Sequence, residues 1–347
     1  MPDVLKNPYR GAGLDLGMPR PVDDPSAVSR LLALCPRHGD TPLLDVPDLA
    51  AHCGVAAVRI KDERGRMGLG SFKALGAAFV IARDAAANDP DDWTSALSGW
   101  TYVAASAGNH GLSVAAGAAL FGARALIYLA DTVPEAFAHR LRAKGAEVVR
   151  SGATYEASMD AAEAAAAENG WTLLSDSTWE GSLDTGRGVM EGYLQMAVEA
   201  ADAMDEAPTH ILLQAGVGGL AGAVAAYARK RWSDGPEIIV VEPAAAPALI
   251  ESVRAGRAVT AEGPVSAMGR LDCKTPSLVA LAGLSADADR FVTISEGEAA
   301  EGVSVLYRLG LDTTPSGGAG LAALIAGLPD IGPDARILAI LSEGPEG

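Results

Sequence analysis

The 347-residue sequence predicts an α/β protein whose two mostly parallel, helix-covered sheets share a cleft. Three observations carry this. β-Branched apolar runs alternate with Ala-rich stretches of helical length, the pattern of βαβ crossovers and of sheets covered on both faces. Glycine-rich turns follow several of these runs and open the next helix, where ligands bind in open α/β sheets. The strands also outnumber what one ordinary sheet needs.

The first fifty residues, rich in Pro, Gly and Asp, read as an irregular arm with one short helix around 27–34. A strand is expected over 55–60, where Val-Ala-Ala-Val-Arg-Ile is apolar and β-branched, and a helix over 71–87. Strand 101–105 leads to a helix that begins near Asn109. Strand 125–129 precedes a helix over 134–144 that opens on proline, a residue suited to the first helical turn. Strand 147–150 is followed by a long helix over 155–169, ended by Gly170. Further strands are expected at 172–174, 210–213, 238–241 and 336–341.

Composition narrows the function classes. With 49% hydrophobic and 20% charged residues, the chain can bury a sizeable core in one large domain or two closely associated ones. A formal net charge of -17 argues against nucleic acid or an anionic membrane surface as partner. No run of about 18 consecutive apolar residues is present to span a membrane. The start, Met1-Pro2-Asp3-Val4-Leu5-Lys6, lacks the pattern of a secretory signal, so the cytoplasm is the expected location. Cys35, Cys53 and Cys273 are widely separated and outside metal-ligand spacing; they read as small buried or half-buried thiols, with no metal site expected.

Three turns carry chemistry. Lys73, in Gly68-Leu69-Gly70-Ser71-Phe72-Lys73-Ala74-Leu75-Gly76, begins a helix. Helix N-termini favour anions, so this position and its apolar neighbours favour a neutral, nucleophilic amine; a snorkelling surface lysine is the alternative. Ser106-Ala107-Gly108-Asn109-His110-Gly111 follows a buried strand and presents backbone N–H groups and short polar side chains, a seat for a carboxylate or simply a capped turn. Gln214-Ala215-Gly216-Val217-Gly218-Gly219-Leu220 lets the backbone wrap a phosphate at a helix N-terminus, or is structural only. It has no Lys-Ser/Thr pair, and no acidic residue follows at the ribose-binding distance, so a nucleotide P-loop and a dinucleotide site are disfavoured.

In this order, Ser-Phe-Lys, Ser-x-Gly-Asn-His and the Gly-rich loop resemble the fold-type II pyridoxal-phosphate (PLP) enzymes, the tryptophan synthase β group. Ile60-Lys61-Asp62-Glu63, Ser175-Asp176-Ser177-Thr178-Trp179-Glu180-Gly181 and Val240-Val241-Glu242-Pro243 make the chain similar to the diaminopropionate ammonia-lyases within that group. The resemblance implies two three-layer αβα domains with PLP in the cleft between them: a large one of residues 1–83 and 204–347 and a small one of 84–203. It implies that Lys73 carries the cofactor as a Schiff base, that Gly216, Val217, Gly218, Gly219 and Leu220 hold its phosphate, and that Asn109 bonds its 3′-hydroxyl. Ser106, Ala107, Gly108, Asn109 and His110 would receive the substrate carboxylate. Ser342, and second Ser316, would meet the pyridine nitrogen. Asp176 matches an aspartate that serves as acid/base near the substrate, although an ordinary turn aspartate is the other reading. A homodimer and a small amino-acid substrate are further implications.

The sequence departs from the ammonia-lyase pattern at three places. Ala107 replaces an aspartate that belongs to handling of the D-isomer, and the turn looks instead like that of the threonine and serine dehydratases. Glu242-Pro243 is followed by Ala-Ala-Ala-Pro-Ala, which leaves the cation site of some serine racemase relatives incomplete. Met268-Gly269-Arg270-Leu271-Asp272-Cys273-Lys274-Thr275-Pro276 is unlike either subfamily; Arg270 and Lys274 would contact an anionic substrate arm or be plain surface charges. The expected activity is α,β-elimination from L-2,3-diaminopropionate or a similar small β-substituted amino acid, giving a 2-oxo acid and ammonia. Dehydration of serine, threonine or 3-hydroxyaspartate is the near alternative. A non-catalytic PLP-binding or ligand-sensing protein is the alternative of another class.

Overall fold

The structure is a computed structural model that describes residues 3–88 and 90–345. Its strands are β1 (Asp3–Lys6), β2 (Leu43–Asp45), β3 (Ala57–Asp62), β4 (Thr101–Ala105), β5 (Arg124–Leu129), β6 (Glu147–Arg150), β7 (Thr172–Leu173), β8 (His210–Gln214), β9 (Glu237–Pro243), β10 (Arg290–Ile294) and β11 (Arg336–Leu341). Seven form a large sheet in the order β1-β10-β9-β8-β11-β3-β2, and four a small sheet in the order β6-β5-β4-β7. The small sheet is wholly parallel. In the large one, five parallel strands are flanked at each edge by a short antiparallel strand.

Period-2 alternation makes each sheet the middle of three layers. Along β11, Leu338 and Ile340 join one core cluster while Ile337, Ala339 and Leu341 join the other. The first cluster takes in helix Gly219–Trp232, the second helix Ala319–Ile325. In the small sheet, Tyr102 and Ala104 face helices Lys73–Ala87 and Asn109–Leu120, whereas Val103 and Ala105 face helix Tyr155–Asn169.

The expected arm is more regular than its composition implies. Its helix runs Ser26–Leu32, and β1, β2 and helix Pro47–Cys53 accompany it. The helix expected from 71 starts at Lys73, because Ser71 is bridged to Glu343. The loop before it is anchored by a buried ionic network. The fully buried Arg66 guanidinium donates to both Glu63 oxygens (2.7 Å each) and both Glu199 oxygens (2.9 and 2.6 Å), while Lys61 donates to Glu199 at 2.6 Å.

Candidate active site

Every expected site residue except Ser316 lies at or just beyond the carboxyl end of a parallel strand or at the start of the following helix, and the two sheets aim these ends at one cleft. Lys73 begins its helix where Phe72 N donates to Ser342 O (3.0 Å) and Gly344 N to Gly70 O (3.0 Å), so β11 fixes the lysine's turn. Gly70 has φ +81°, a conformation that L side chains rarely adopt. The Lys73 ammonium pairs with the Asp176 carboxylate just beyond β7. Burial pushes Lys73 down, but Asp176 outweighs it and the net shift is upward. Burial likewise pushes Asp176 up, but Lys73, then His110, hold it well below the usual carboxylate range. The expectation of a neutral lysine amine is thereby corrected: helix position and apolar neighbours favour it, and one carboxylate from the other side of the cleft overrides both.

The Ser106–Gly111 turn folds around its own serine, whose Oγ accepts from Gly108 N (3.3 Å) and Gly111 N (3.1 Å). His110 is buried, and its Nε2 donates to Leu174 O at 2.8 Å, tying the turn to the segment that carries Asp176. Burial lowers its pKa against the opposing pull of Asp176. His110 therefore positions this side of the cleft. Asn109 Nδ2 donates to Glu343 Oε2 at 2.5 Å.

Beyond β8, Ala215–Gly218 lead into helix Gly219–Trp232, which has no side-chain cap. Gly218 has φ +99°, and a Cβ there would meet Ala280 Cβ at 3.0 Å. A Cβ on Gly216 would meet Cys273 Sγ at 3.0 Å. Ser277 N donates to Val217 O (3.0 Å), so this carbonyl is turned to the protein. Uncapped first-turn N–H groups behind close-packed glycines are the kind of helix N-terminus that can take an anion.

Of the two serines, Ser342 is buried at the end of β11, and Ser316 Oγ accepts from Arg270 N at 3.0 Å. Ser316, Arg270, Thr313 and Thr314 line a cavity of about 310 Å³. Arg270 is half-buried: its Nη1 lies 3.5 Å from Ala107 O and its Nε 3.8 Å from Glu343 Oε2. Lys274 is tied locally, to Asp272 (2.7 Å) and Pro264 O (2.8 Å). Glu242 accepts from Leu249 N (2.7 Å) and Ile250 N (2.8 Å), so its carboxylate caps a helix.

Sequence reasoning missed Glu343, Tyr193 and the placement of Cys273. Cys273 is half-buried as expected, but it lies against the cradle, where burial pushes its thiol up to about 11. Glu343 carried a signal, being the only acidic residue within two positions of the strand-end Ser342. Tyr193 carried none.

Whether these residues fit pyridoxal phosphate is tested by three features: a lysine reaching a carboxylate in the cleft, an uncapped glycine cradle, and a buried Tyr193 hydroxyl with no protein partner among the described residues. All three fit. Residues 34–343 match the family described as pyridoxal-phosphate dependent enzyme. The chain belongs to that family. It binds pyridoxal 5′-phosphate, and it belongs within the family to the diaminopropionate ammonia-lyases. It is 31% identical over 302 residues to the diaminopropionate ammonia-lyase of Salmonella typhimurium, covering 80% of this chain and 74% of the relative. The crystal structure of the Escherichia coli diaminopropionate ammonia lyase in complex with D-serine superposes with a TM-score of 0.88 at 28% identity, over 99% of this chain and 94% of that one. The same enzyme with an aminoacrylate-PLP azomethine reaction intermediate gives 0.87 over the same shares. Among the described residues, no helix is long and apolar enough to cross a membrane.

Proposed function

We propose that the protein is an ammonia-lyase that eliminates the β-amino group of L-2,3-diaminopropionate, releasing one 2-oxo acid and two ammonia per substrate and consuming one water. The pairing of Lys73 with Asp176 carries this reading, because elimination needs one group to take the Cα proton and another to manage the leaving amine. The bound cofactor supplies an electron sink for the charge developed at Cα.

The roles follow from the chain's own groups. Lys73 is the residue that would hold the cofactor's aldehyde carbon, and it moves the Cα proton. Gly216, Val217, Gly218, Gly219 and Leu220 would hold the phosphate with backbone N–H groups. Asn109 would face the 3′-hydroxyl with its remaining amide hydrogen, its other being spent on Glu343. Ser342 is the better partner for the pyridine nitrogen, since its backbone oxygen is bonded by Phe72 next to Lys73, while Ser316 is engaged by Arg270. The N–H groups at Ser106–His110 would receive the substrate carboxylate. Asp176, deprived of the Lys73 charge, faces mainly the burial that raises its pKa, which suits it to hold a proton on the leaving amine.

The division into residues 1–83 with 204–347 and 84–203 stands as part of this proposal, with helix Lys73–Ala87 crossing the first boundary. A cytoplasmic homodimer is likewise our reading of the family likeness. Ala107 favours a second reading, a serine or threonine dehydratase, because its turn lacks the aspartate of the ammonia-lyases. Assay of 2-oxo acid and ammonia from L-2,3-diaminopropionate, L-serine, L-threonine and 3-hydroxyaspartate separates the two; preference for a hydroxy amino acid rejects the first.

A further inference from the structure

Tyr193 is 2% exposed, and its hydroxyl is buried with no hydrogen-bond partner among the described residues. A buried tyrosine hydroxyl normally finds a partner, since leaving it without one costs about 1–3 kcal/mol. The ring's surroundings locate what is missing. It stands edge-on to Phe72, with centroids 4.8 Å apart, immediately before Lys73. A Cβ on Gly76 would come within 2.7 Å of Tyr193 Cε1, so one edge is pressed on the lysine's helix. A Cβ on Gly219 would lie 3.5 Å from Tyr193 Cε2, so the other edge faces the first residue of the uncapped cradle helix. The ring thus bridges the two elements between which the cofactor must lie, with its unpartnered hydroxyl carried on the ring atom between these two edges.

We propose that the Tyr193 hydroxyl donates a hydrogen bond to the phosphate of bound pyridoxal 5′-phosphate, adding a side-chain donor to the backbone cradle of residues 216–220. The nearby carboxylate, Asp176, is taken by Lys73 and makes no bond to Tyr193. Burial, then Asp176, raises the phenol's pKa well above its ordinary value, so the hydroxyl keeps the proton it donates. A phosphate at a helix N-terminus is short of donors once the few first-turn N–H groups are used, and a charge-assisted bond is about twice as strong as a neutral one.

The inference rests on reading 216–220 as the phosphate cradle, and its test separates the two. Apoprotein, wild type and Tyr193→Phe, is titrated with pyridoxal 5′-phosphate and with pyridoxal, following cofactor absorbance. Wild type should bind the phosphorylated form far more tightly. Tyr193→Phe should lose about 10- to 100-fold in affinity for pyridoxal 5′-phosphate while binding pyridoxal as wild type does. An unchanged ratio of the two affinities in the variant overturns the Tyr193 proposal; a wild type that does not distinguish the two ligands overturns the cradle itself. Since only the ratio is read, Tyr193→Leu serves equally if Tyr193→Phe does not fold.

Discussion

Asn109 and Glu343, 234 positions apart in the sequence, join the two sheets through a single 2.5 Å hydrogen bond. A carboxylate only accepts, so the bond fixes which end of the Asn109 amide faces Glu343 and which group remains for the cofactor. Thr314 Oγ1 holds the other Glu343 oxygen at 2.5 Å, and Arg270 stands 3.8 Å off. Glu343→Ala should therefore raise the Kd for pyridoxal 5′-phosphate about tenfold through a misaligned Asn109, with Glu343→Gln affected less because it keeps an acceptor. Absorbance titration of the apoprotein checks this; an unchanged Kd in folded Glu343→Ala would remove Glu343 from the site.

The Lys73–Asp176 pair has a pH signature. Asp176 is depressed, so its contribution to stability is present above the unfolded carboxyl pKa, about 3.9, and is lost as pH falls through the folded value. Lys73 is raised, so its contribution is full below the unfolded value, about 10.4, and is lost as pH rises through the folded one. In Asp176→Asn the main group that raises Lys73 is gone, and burial is opposed only by the weaker pull of Cys273 and Glu343, so the loss of apoprotein stability above about pH 10 should become shallower than in wild type. Urea unfolding at pH 9 and 11 measures both slopes, and equal slopes would contradict the pairing.

Much of this arrangement was legible beforehand. The strands 101–105, 147–150 and 336–341 fall where their β-branched runs placed them, and Gly170 stops its helix at φ +66°. β10 is not among the expected strands although Arg-Phe-Val-Thr-Ile has the composition of one, and β1 and β2 are too short for periodicity to register. Motifs marked Lys73, Asn109 and the glycine loop because local backbone chemistry sets them. Their neighbours Glu343 and Tyr193 come from distant segments, and only the crossing of chains between the two sheets reveals them. The upward shift of Lys73 is not legible in the sequence for the same reason: its helix is local, and Asp176 is 103 residues away.

The buried network behind the lysine's loop gives a stability prediction. Arg66→Met keeps volume but strips Glu63 and Glu199 of their shared cation, leaving Lys61 alone against two buried carboxylates. The loss should be about 3–5 kcal/mol by urea denaturation. A change below about 1 kcal/mol would mean that the network is solvated or redundant.

Stereochemistry turns on position 107. With alanine there, the D-isomer of diaminopropionate should be a poor substrate. Ala107→Asp should raise the D-to-L ratio of kcat/KM at least tenfold, the low end of what a proton-transferring group contributes (about 10²–10⁴) reduced for imperfect placement beside Arg270. An unchanged ratio would assign D-isomer handling elsewhere.

The most direct test counts products. Purified holoenzyme is supplied with L-2,3-diaminopropionate, and ammonia and 2-oxo acid are measured together, with Lys73→Ala alongside. The account predicts two ammonia per 2-oxo acid and no turnover by the variant. No 2-oxo acid from L-2,3-diaminopropionate, alongside one ammonia per 2-oxo acid from L-serine or L-threonine, would contradict it and make the protein a dehydratase.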